Sequence, residues 1–248
     1  MNILFIVNEY IQNTESLKSI TVRIPWFGRM VERGCLAFPL LFLAGTAIVE
    51  ARLPEYNRIS QTISQLALGS WGWIENVLFV LFGLLLLGIS LRLKEACIPL
   101  TVAGIAFFVI ALCPTQSIGD PRTFTNAIHE FAAMTTAAML PVTCFKMTNS
   151  GGNSLNFDLI RTVCVTVGVC GLVLNLLGFV MFFGDRSLMG IVERLIMLNG
   201  LVWLQVVGIY FMQLSGGTQR QNFYKSWLNI FNRRRPIVVE VDHRHSNH

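Results

Sequence analysis

Charged residues are scarce in this sequence. Asp, Glu, Lys and Arg make up 13% of its 248 residues, about half the fraction found in typical soluble domains. Hydrophobic residues make up 53%, and they are concentrated in runs of about twenty, the length that crosses a bilayer. The scarcity of charge argues against an ordinary soluble domain, and it predicts an all-α, polytopic integral membrane protein.

The residues of common metal and redox sites are also sparse. The six cysteines are scattered without a CxxC pair, and His129 is the only histidine outside the C-terminal tail. A catalytic zinc site uses three protein ligands, and a haem held between helices needs axial histidines. We therefore expect no metal site and no cofactor, and we interpret the cysteines as small apolar residues of the helices.

The apolar runs divide the chain into three parts. Residues 1–34 are expected to form a cytoplasmic or interfacial segment, 35–213 a six-helix transmembrane domain, and 214–248 a basic cytoplasmic tail that does not fold. The N-terminus lacks the basic start and long apolar run of a signal peptide, so the first span is expected to direct membrane insertion. The six predicted spans are 35–53, 73–93, 97–113, 122–145, 159–183 and 190–213.

The distribution of basic residues predicts the orientation. With both termini in the cytoplasm, 14 of the 19 lysines and arginines lie inside and the other 5 outside, as the positive-inside rule requires. The expected location is the cell (plasma) membrane. The basic tail then faces the cytoplasmic leaflet and is predicted to contact anionic lipids. The same distribution argues against a nucleic-acid partner, although the net charge is +5.

The stretch from Cys113 to Ala138 carries an unusual density of polar residues between two apolar segments. Asp120 and Pro121 form a typical helix start, because an N-terminal Asp can cap free N–H groups and proline is favoured at the first helical position. We therefore predict that Asp120 caps a helix that carries His129. In a structural interpretation, His129 donates to a nearby carbonyl and Glu193 pairs with an outer arginine.

Polar and ionisable residues gather at the outer ends of the predicted spans. Such groups are costly inside a membrane and usually face a bundle interior or a cavity. We therefore predict one outward-facing polar pocket, in which the side chains of Asn76, His129 and Glu193 approach one another and Arg194 pairs with Glu130 or Asp120. The candidate pocket residues are Ser64, Glu75, Asn76, Asp120, Arg122, His129, Glu130, Glu193 and Arg194.

Three stretches carry a resemblance to a known family: ISQLALGSWGWIENVLFVLFGLLLLG (63–88), CPTQSIGDPRTFTNAIHEFAA (113–133) and GIVERLIMLNGLVWL (190–204). The chain resembles the domain-of-unknown-function 998 family of six-helix membrane proteins over about residues 35–213. Gln65 occupies the position after the serine, where that family usually has an acidic or polar residue. The resemblance implies a fold and a shared pocket, and it implies no activity.

Three functions remain open from the sequence. The polar pocket predicts binding of a small amphiphile or lipid that enters from the outer leaflet, with its tail against Phe- and Leu-rich walls. Alternatively, His129 and the carboxylates could serve a membrane-embedded acid–base enzyme acting on a lipid-like or isoprenoid substrate. The third alternative is a structural or accessory membrane subunit, in which the polar residues serve only packing and helix capping.

Overall fold

The structure is a computed structural model that describes residues 25–93, 96–117, 120–148 and 155–215. Within these ranges all regular secondary structure is helical, and there is no β-strand. The elements are α1 (Pro25–Ala51), α2 (Ile63–Leu66), α3 (Gly72–Ser90), α4 (Cys97–Leu112), α5 (Phe124–Thr148), α6 (Leu155–Phe183), a 3₁₀ turn (Arg186–Leu188) and α7 (Met189–Ser215).

Four helical segments in the described ranges are long and apolar enough to cross a membrane. They are Trp26–Ala51, Gly72–Ser90, Ile160–Phe183 and Arg186–Met212. Helix α4 is apolar but shorter, and α5 has spanning length but carries several polar side chains in its first half. The prediction of an all-helical, multi-pass membrane protein is therefore confirmed at the level of these four segments.

Helices α1, α3 and α4 pack through aromatic side chains and small residues. Phe82 of α3 lies 5.1 Å from Phe38 of α1 and 4.6 Å from Phe107 of α4, measured between ring centroids. A Cβ atom on Gly83 would lie 2.8 Å from the carbonyl oxygen of Gly104. The two glycines thus allow the backbones of α3 and α4 to approach closely, as small residues do between membrane helices.

Side-chain amides connect the later helices. Asn175 of α6 donates through Nδ2 to the carbonyl of Ala137 in α5, at 2.7 Å, and Asn199 of α7 donates to the carbonyl of Val167 in α6, at 3.0 Å. A side-chain amide that donates to a backbone carbonyl of a neighbouring helix holds the two helices together in an apolar environment. They set the spacing of α5, α6 and α7 around the cavity described below.

The predicted start of α5 is wrong. Helix α5 begins at Phe124, and its capping residue is Thr123, whose Oγ1 accepts a hydrogen bond from the backbone N–H of Asn126 at 3.3 Å. Asp120 lies one turn earlier in the connecting segment, where its own N–H bonds to the carbonyl of Ser117. Thr123 replaces Asp120 as the cap because it lies three residues before the free N–H that it satisfies.

The other helix boundaries lie close to the predicted spans, except that α1 begins at Pro25 instead of residue 35. Several predicted features fall outside the described residues: the segment before residue 25, the glycine-containing loop at 149–154 and the basic tail from residue 216 onward. The site described next lies within the compact unit that ends at Tyr210, and residues 211–215 of α7 belong to a separate unit.

Candidate functional site

A cavity of about 540 Å³ lies between the helices at the end where α2 and α7 begin. Its wall changes in character along the helices. Most of the polar side chains come from helix ends and connecting segments, whereas most of the apolar side chains come from positions farther inside the helices. The apolar part of the wall includes Phe79, Phe107, Met134, Phe179 and Met197. The cavity therefore has a polar end and an apolar end.

The structure brings six of the nine sequence-predicted pocket residues onto this cavity: Ser64, Asp120, Arg122, His129, Glu130 and Glu193. Ten further polar residues on the wall were not among the predicted pocket residues: Ser60, Thr62, Gln65, Thr115, Gln116, Ser117, Asn126, Thr136, Asn175 and Arg186. Arg186 had a weak sequence signal, because it is a basic residue in the short connection between two long apolar segments.

Glu75, Asn76 and Arg194 do not line this cavity in the described part of the chain. Glu75 is fully buried, and both of its carboxylate oxygens lie 3.3 Å from the hydroxyl of Thr46 on α1. Asn76 is half-buried and is rotated about 100° from Glu75 around the axis of α3. The prediction that Asn76 joins His129 and Glu193 on the cavity wall is therefore wrong.

Glu193 holds the short helix α2 against the start of α7. Its Oε2 accepts from the backbone N–H of Ile63 at 2.6 Å, and its Oε1 accepts from the hydroxyl of Ser64 at 3.0 Å. Gln65 continues this connection by donating to the carbonyl of Gln116 at 2.9 Å. The structural interpretation paired Glu193 with an outer arginine, and it is wrong, because Glu193 bonds α2 instead. Through these bonds α2, the start of α7 and the segment at Gln116 meet at the polar end.

Arg194 makes a different set of contacts from those predicted. It pairs with Glu50 at the end of α1 rather than with Glu130 or Asp120. The reason is geometric, because Arg194 is rotated about 100° from the cavity-facing Glu193 and points at the segment between α1 and α2. The same guanidinium donates at 2.9–3.1 Å to the backbone carbonyls of Arg58, Gln61 and Gly190.

Tyr56 completes this contact. Burial raises the pKa of Tyr56 to about 12, so its phenol stays protonated and can donate to the carbonyls of Gln61 and Thr62, at 2.9 and 2.7 Å. Its oxygen accepts from Arg194 at 2.7 Å. The segment between α1 and α2 contributes to the polar end of the cavity. It is fixed to α7 because Arg194 and Tyr56 bond backbone carbonyls of this segment.

His129 is oriented by the end of α4. It is only 4% exposed, and its Nδ1 lies 2.7 Å from the carbonyl oxygen of Cys113. A carbonyl only accepts, so in the neutral ring Nδ1 carries the proton and Nε2 is an acceptor. This bond agrees with the structural interpretation of His129. However, Nε2 is buried and has no hydrogen-bond partner among the described residues.

Two arginines lie near one aromatic ring at the polar end. The guanidinium carbon of Arg122 lies 5.8 Å from the ring centroid of Phe182, and that of Arg186 lies 4.4 Å from it. Arg186 is held by a bond from Nε to the carbonyl of Phe182 at 3.1 Å. Glu130, which also lines the cavity, accepts from the side chain of Asn126 at 3.1 Å. Charges of both signs therefore surround the polar end.

The donor set does not form a metal centre. Across the ranges that the structure describes, no three His, Cys, Asp or Glu side chains converge as a metal-binding group. The cavity wall instead offers hydrogen-bond acceptors, two guanidinium groups and a large apolar area. This chemistry suits an organic molecule that has a polar end and an apolar end.

The apolar helices and the cavity between them define a multi-pass helical membrane protein. The chain belongs to a family described as a protein of unknown function, DUF998, whose family model matches residues 36–210. This match confirms the resemblance seen in the sequence and covers all helices that contribute to the cavity. No curated protein and no solved structure matches the chain.

Proposed function

We propose that this protein binds one small amphiphile or lipid in the 540 Å³ cavity. The observation that carries the proposal is the division of the cavity wall into a polar end and an apolar end. The volume falls within the range of about 300–1,000 Å³ typical of small-molecule sites. A head group would lie among the polar side chains, and its hydrocarbon chain would lie against Phe79, Phe107 and Met197.

The proposal includes an orientation in the cell membrane. Helices α4 and α5 complete six spans, both termini face the cytoplasm, and the polar end of the cavity faces outward. The basic tail then lies beside the anionic lipids of the cytoplasmic leaflet. The support is the excess of basic residues on the terminal side, together with the position of the polar end where α3, α5 and α7 begin.

Reporter fusions test this orientation. Fusions at Ser150 and after Gln213 should report a cytoplasmic location, and a fusion at Gly119 should report an external one. The expected pattern follows from alternating spans of α4, α5, α6 and α7. An external signal at Ser150 would reverse the orientation and turn the polar end of the cavity toward the cytoplasm.

A substitution that fills the cavity tests binding itself. Ala133 of α5 lines the cavity, so Ala133→Phe should place a ring in the space for the hydrocarbon chain and weaken amphiphile binding at least about tenfold, the loss expected when a ligand can no longer bury its apolar surface. The measurement is a calorimetric titration of the purified protein with an amphiphile such as dodecyl maltoside.

Ala127→Phe is the matched control, because Ala127 lies on the same helix but is exposed and is not part of the cavity wall. It should leave the affinity unchanged. If Ala133→Phe and Ala127→Phe bind the amphiphile as tightly as the unmodified protein, the cavity is not the binding site and the proposal fails.

A second function is favoured by one observation. His129 lines the cavity, its Nε2 has no hydrogen-bond partner among the described residues, and the Cys113 carbonyl holds the ring as an acid–base catalyst requires. The protein would then act on a lipid-like or isoprenoid substrate. An enzyme should turn over such a substrate and lose turnover in His129→Asn while retaining binding, whereas a binding protein should release the molecule unchanged.

A further inference from the structure

Two arginine side chains lie at the polar end of the cavity without a carboxylate partner. Arg122 belongs to the connection before α5 and Arg186 to the 3₁₀ turn between α6 and α7, and both line the cavity. Their guanidinium groups lie over the same ring, that of Phe182. Within the described ranges neither arginine forms an ion pair, and Asp185, next to Arg186 in the chain, uses both carboxylate oxygens for Ser187. Two positive charges from different connecting segments therefore converge on one wall.

These guanidinium groups keep hydrogen-bond donors for a ligand. Arg186 uses its Nε donor for the carbonyl of Phe182. In the part of the chain that the structure describes, its other nitrogens and those of Arg122 make no hydrogen bond. A guanidinium that lies over an aromatic face can still direct its N–H edge at the oxygens of a phosphate or carboxylate. The two arginines therefore form a site for an oxyanion.

The carboxylates of the cavity wall differ in how far their oxygens are already bonded. Both oxygens of Glu193 accept from α2. Glu130 accepts from Asn126 through Oε1 alone, and the side chain of Asp120 makes no hydrogen bond or ion pair with another described residue. Because Glu130 and Asp120 both line the cavity, their free oxygens are available to a positively charged group of a ligand.

Glu130 lies at the level of the two arginines. Helices α5 and α6 run antiparallel, because Asn175 bonds the carbonyl of Ala137 and a Cβ atom on Gly171 would lie 3.0 Å from Cγ of Pro141. From the first of these contacts, about two helical turns toward the polar end lead to Glu130 on α5 and to the ring under the guanidinium groups on α6. Charges of opposite sign thus lie at one level of the wall and do not pair with each other.

A head group with a single sign of charge would meet repulsion on this wall. An anion bound by the arginines would lie near the free carboxylate oxygens, and a cation bound by the carboxylates would lie near the arginines. Like charges at close range weaken binding, and they do so most where water is excluded. A head group that carries both charges gains both attractions, whereas a neutral head group gains neither.

From these contacts we infer that the amphiphile carries a zwitterionic head group, in which a phosphate binds Arg122 and Arg186 and a positively charged nitrogen lies beside Glu130 and Asp120. A phosphodiester fits this arrangement, because its ester bonds join the oxyanion to the hydrocarbon chain on one side and to the nitrogen on the other. This inference rests on the proposed function and names the ligand class for the same cavity.

Four ligands with the same dodecyl chain test the inference on the unmodified protein. The full chain is purified in an uncharged polyoxyethylene detergent and receives dodecylphosphocholine, dodecyl phosphate, dodecyltrimethylammonium or dodecyl maltoside at equal mole fraction in the micelle. The head groups are zwitterionic, anionic, cationic and neutral, in that order. Native mass spectrometry measures the fraction of chains that carry the ligand. We expect dodecylphosphocholine to bind at least about tenfold more tightly than each of the other three.

Charge-removing variants then locate the two halves of the site. Arg186→Gln should weaken binding of dodecylphosphocholine and dodecyl phosphate about tenfold and should not weaken binding of dodecyltrimethylammonium. Glu130→Gln should have the opposite pattern for the two singly charged ligands, and it should also weaken binding of dodecylphosphocholine. The crossed pattern identifies which side chain binds which charge, because a general loss of structure would weaken all four ligands alike.

The controls remove the same charges away from the cavity wall. Arg52 also lies over an aromatic ring, at 4.9 Å from the centroid of Trp71, and it does not line the cavity. Glu55 is exposed and does not line it either. Arg52→Gln and Glu55→Gln should keep the preference of the unmodified protein for dodecylphosphocholine.

The outcomes separate this inference from the proposed function. Equal affinity of the unmodified protein for all four ligands would overturn the zwitterionic site and leave an amphiphile cavity in place. Tightest binding of dodecyl phosphate, dodecyltrimethylammonium or dodecyl maltoside would overturn the zwitterionic site as well. Failure of all four ligands to bind would overturn the proposed function itself. The ligand comparison needs no variant, so a variant that fails to fold leaves the test intact.

Discussion

Replacement of Gly190 by alanine should lower the free energy of unfolding by about 3 kcal/mol, the upper end of the range for overpacking. A Cβ atom at this position would lie 2.6 Å from the carbonyl oxygen of Arg58 and 2.9 Å from that of Ile59, and it would also collide with the carbonyl of Gln61. All three are backbone atoms. They cannot move aside easily, because Arg194 and Tyr56 hold the carbonyls of Arg58 and Gln61 in place.

Gly28→Ala provides the comparison. Among the described residues nothing lies within 4 Å of a Cβ atom at Gly28, and alanine is the better helix former by up to about 1 kcal/mol. This variant should be as stable as the unmodified protein or slightly more stable. Chemical or thermal unfolding in detergent measures both. Equal stability of Gly190→Ala and Gly28→Ala would show that the segment between α1 and α2 does not pack against Gly190 of α7.

Arg194→Met should have the second large effect, a loss of about 3 kcal/mol, because it removes the buried partner of a buried carboxylate. The side chain of Glu50 is only 8% exposed and that of Arg194 is 23% exposed. The substitution also leaves the carbonyls of Arg58, Gln61 and Gly190 without their guanidinium donor. Unfolding measurements should show the loss, and binding should weaken as the polar end of the cavity loosens.

Arg58→Met tests whether the effect depends on burial. Arg58 contacts the same carboxylate, with Nε 2.7 Å from Oε2 of Glu50, but its side chain is 65% exposed, so the expected loss is below about 1 kcal/mol. Adding Glu50→Gln to Arg194→Met should recover part of the stability, because the buried side chain at position 50 is then neutral and no longer depends on the exposed Arg58 as its remaining ion-pair partner among the described residues. Equal losses of stability in Arg194→Met and Arg58→Met would show that the ion pair between Arg194 and Glu50 does not fix the segment between α1 and α2 to α7.

The helices could be predicted from the sequence because their signal is local. Runs of apolar residues of bilayer length mark α1, α3, α6 and α7 without any knowledge of tertiary contacts. The start of α5 was predicted incorrectly, also for a local reason. Asp120 followed by Pro121 is a strong start pattern, but Thr123 lies closer to the first apolar residues of the helix and is the residue that caps it.

The site was only partly predictable, because its residues meet through contacts between distant parts of the chain. An ionisable residue within an apolar segment signals an inward-facing position, and this argument placed His129 and Glu193 on the cavity wall. It cannot identify partners. Arg194 pairs with Glu50, which is 144 positions away, and nothing in either local pattern distinguishes Glu50 from Glu130 or Asp120.

Asn175 and Arg186 illustrate a second limit. Asn175 has the pattern of a residue that bonds another helix, and it does so, but this pattern does not show that the residue also lines the cavity. Arg186 lies in a short connection whose geometry places it over Phe182. The direction of a side chain at the end of a helix depends on how the next element packs, and the sequence alone does not contain that information.

If the cavity holds an amphiphile, native mass spectrometry should detect it on the full chain extracted from its membrane in a detergent without hydroxyl groups. We expect one retained molecule per chain, present in the unmodified protein and in Ala127→Phe but absent from Ala133→Phe. Spectra that show no bound molecule, or the same molecule in Ala133→Phe at equal occupancy, would contradict it.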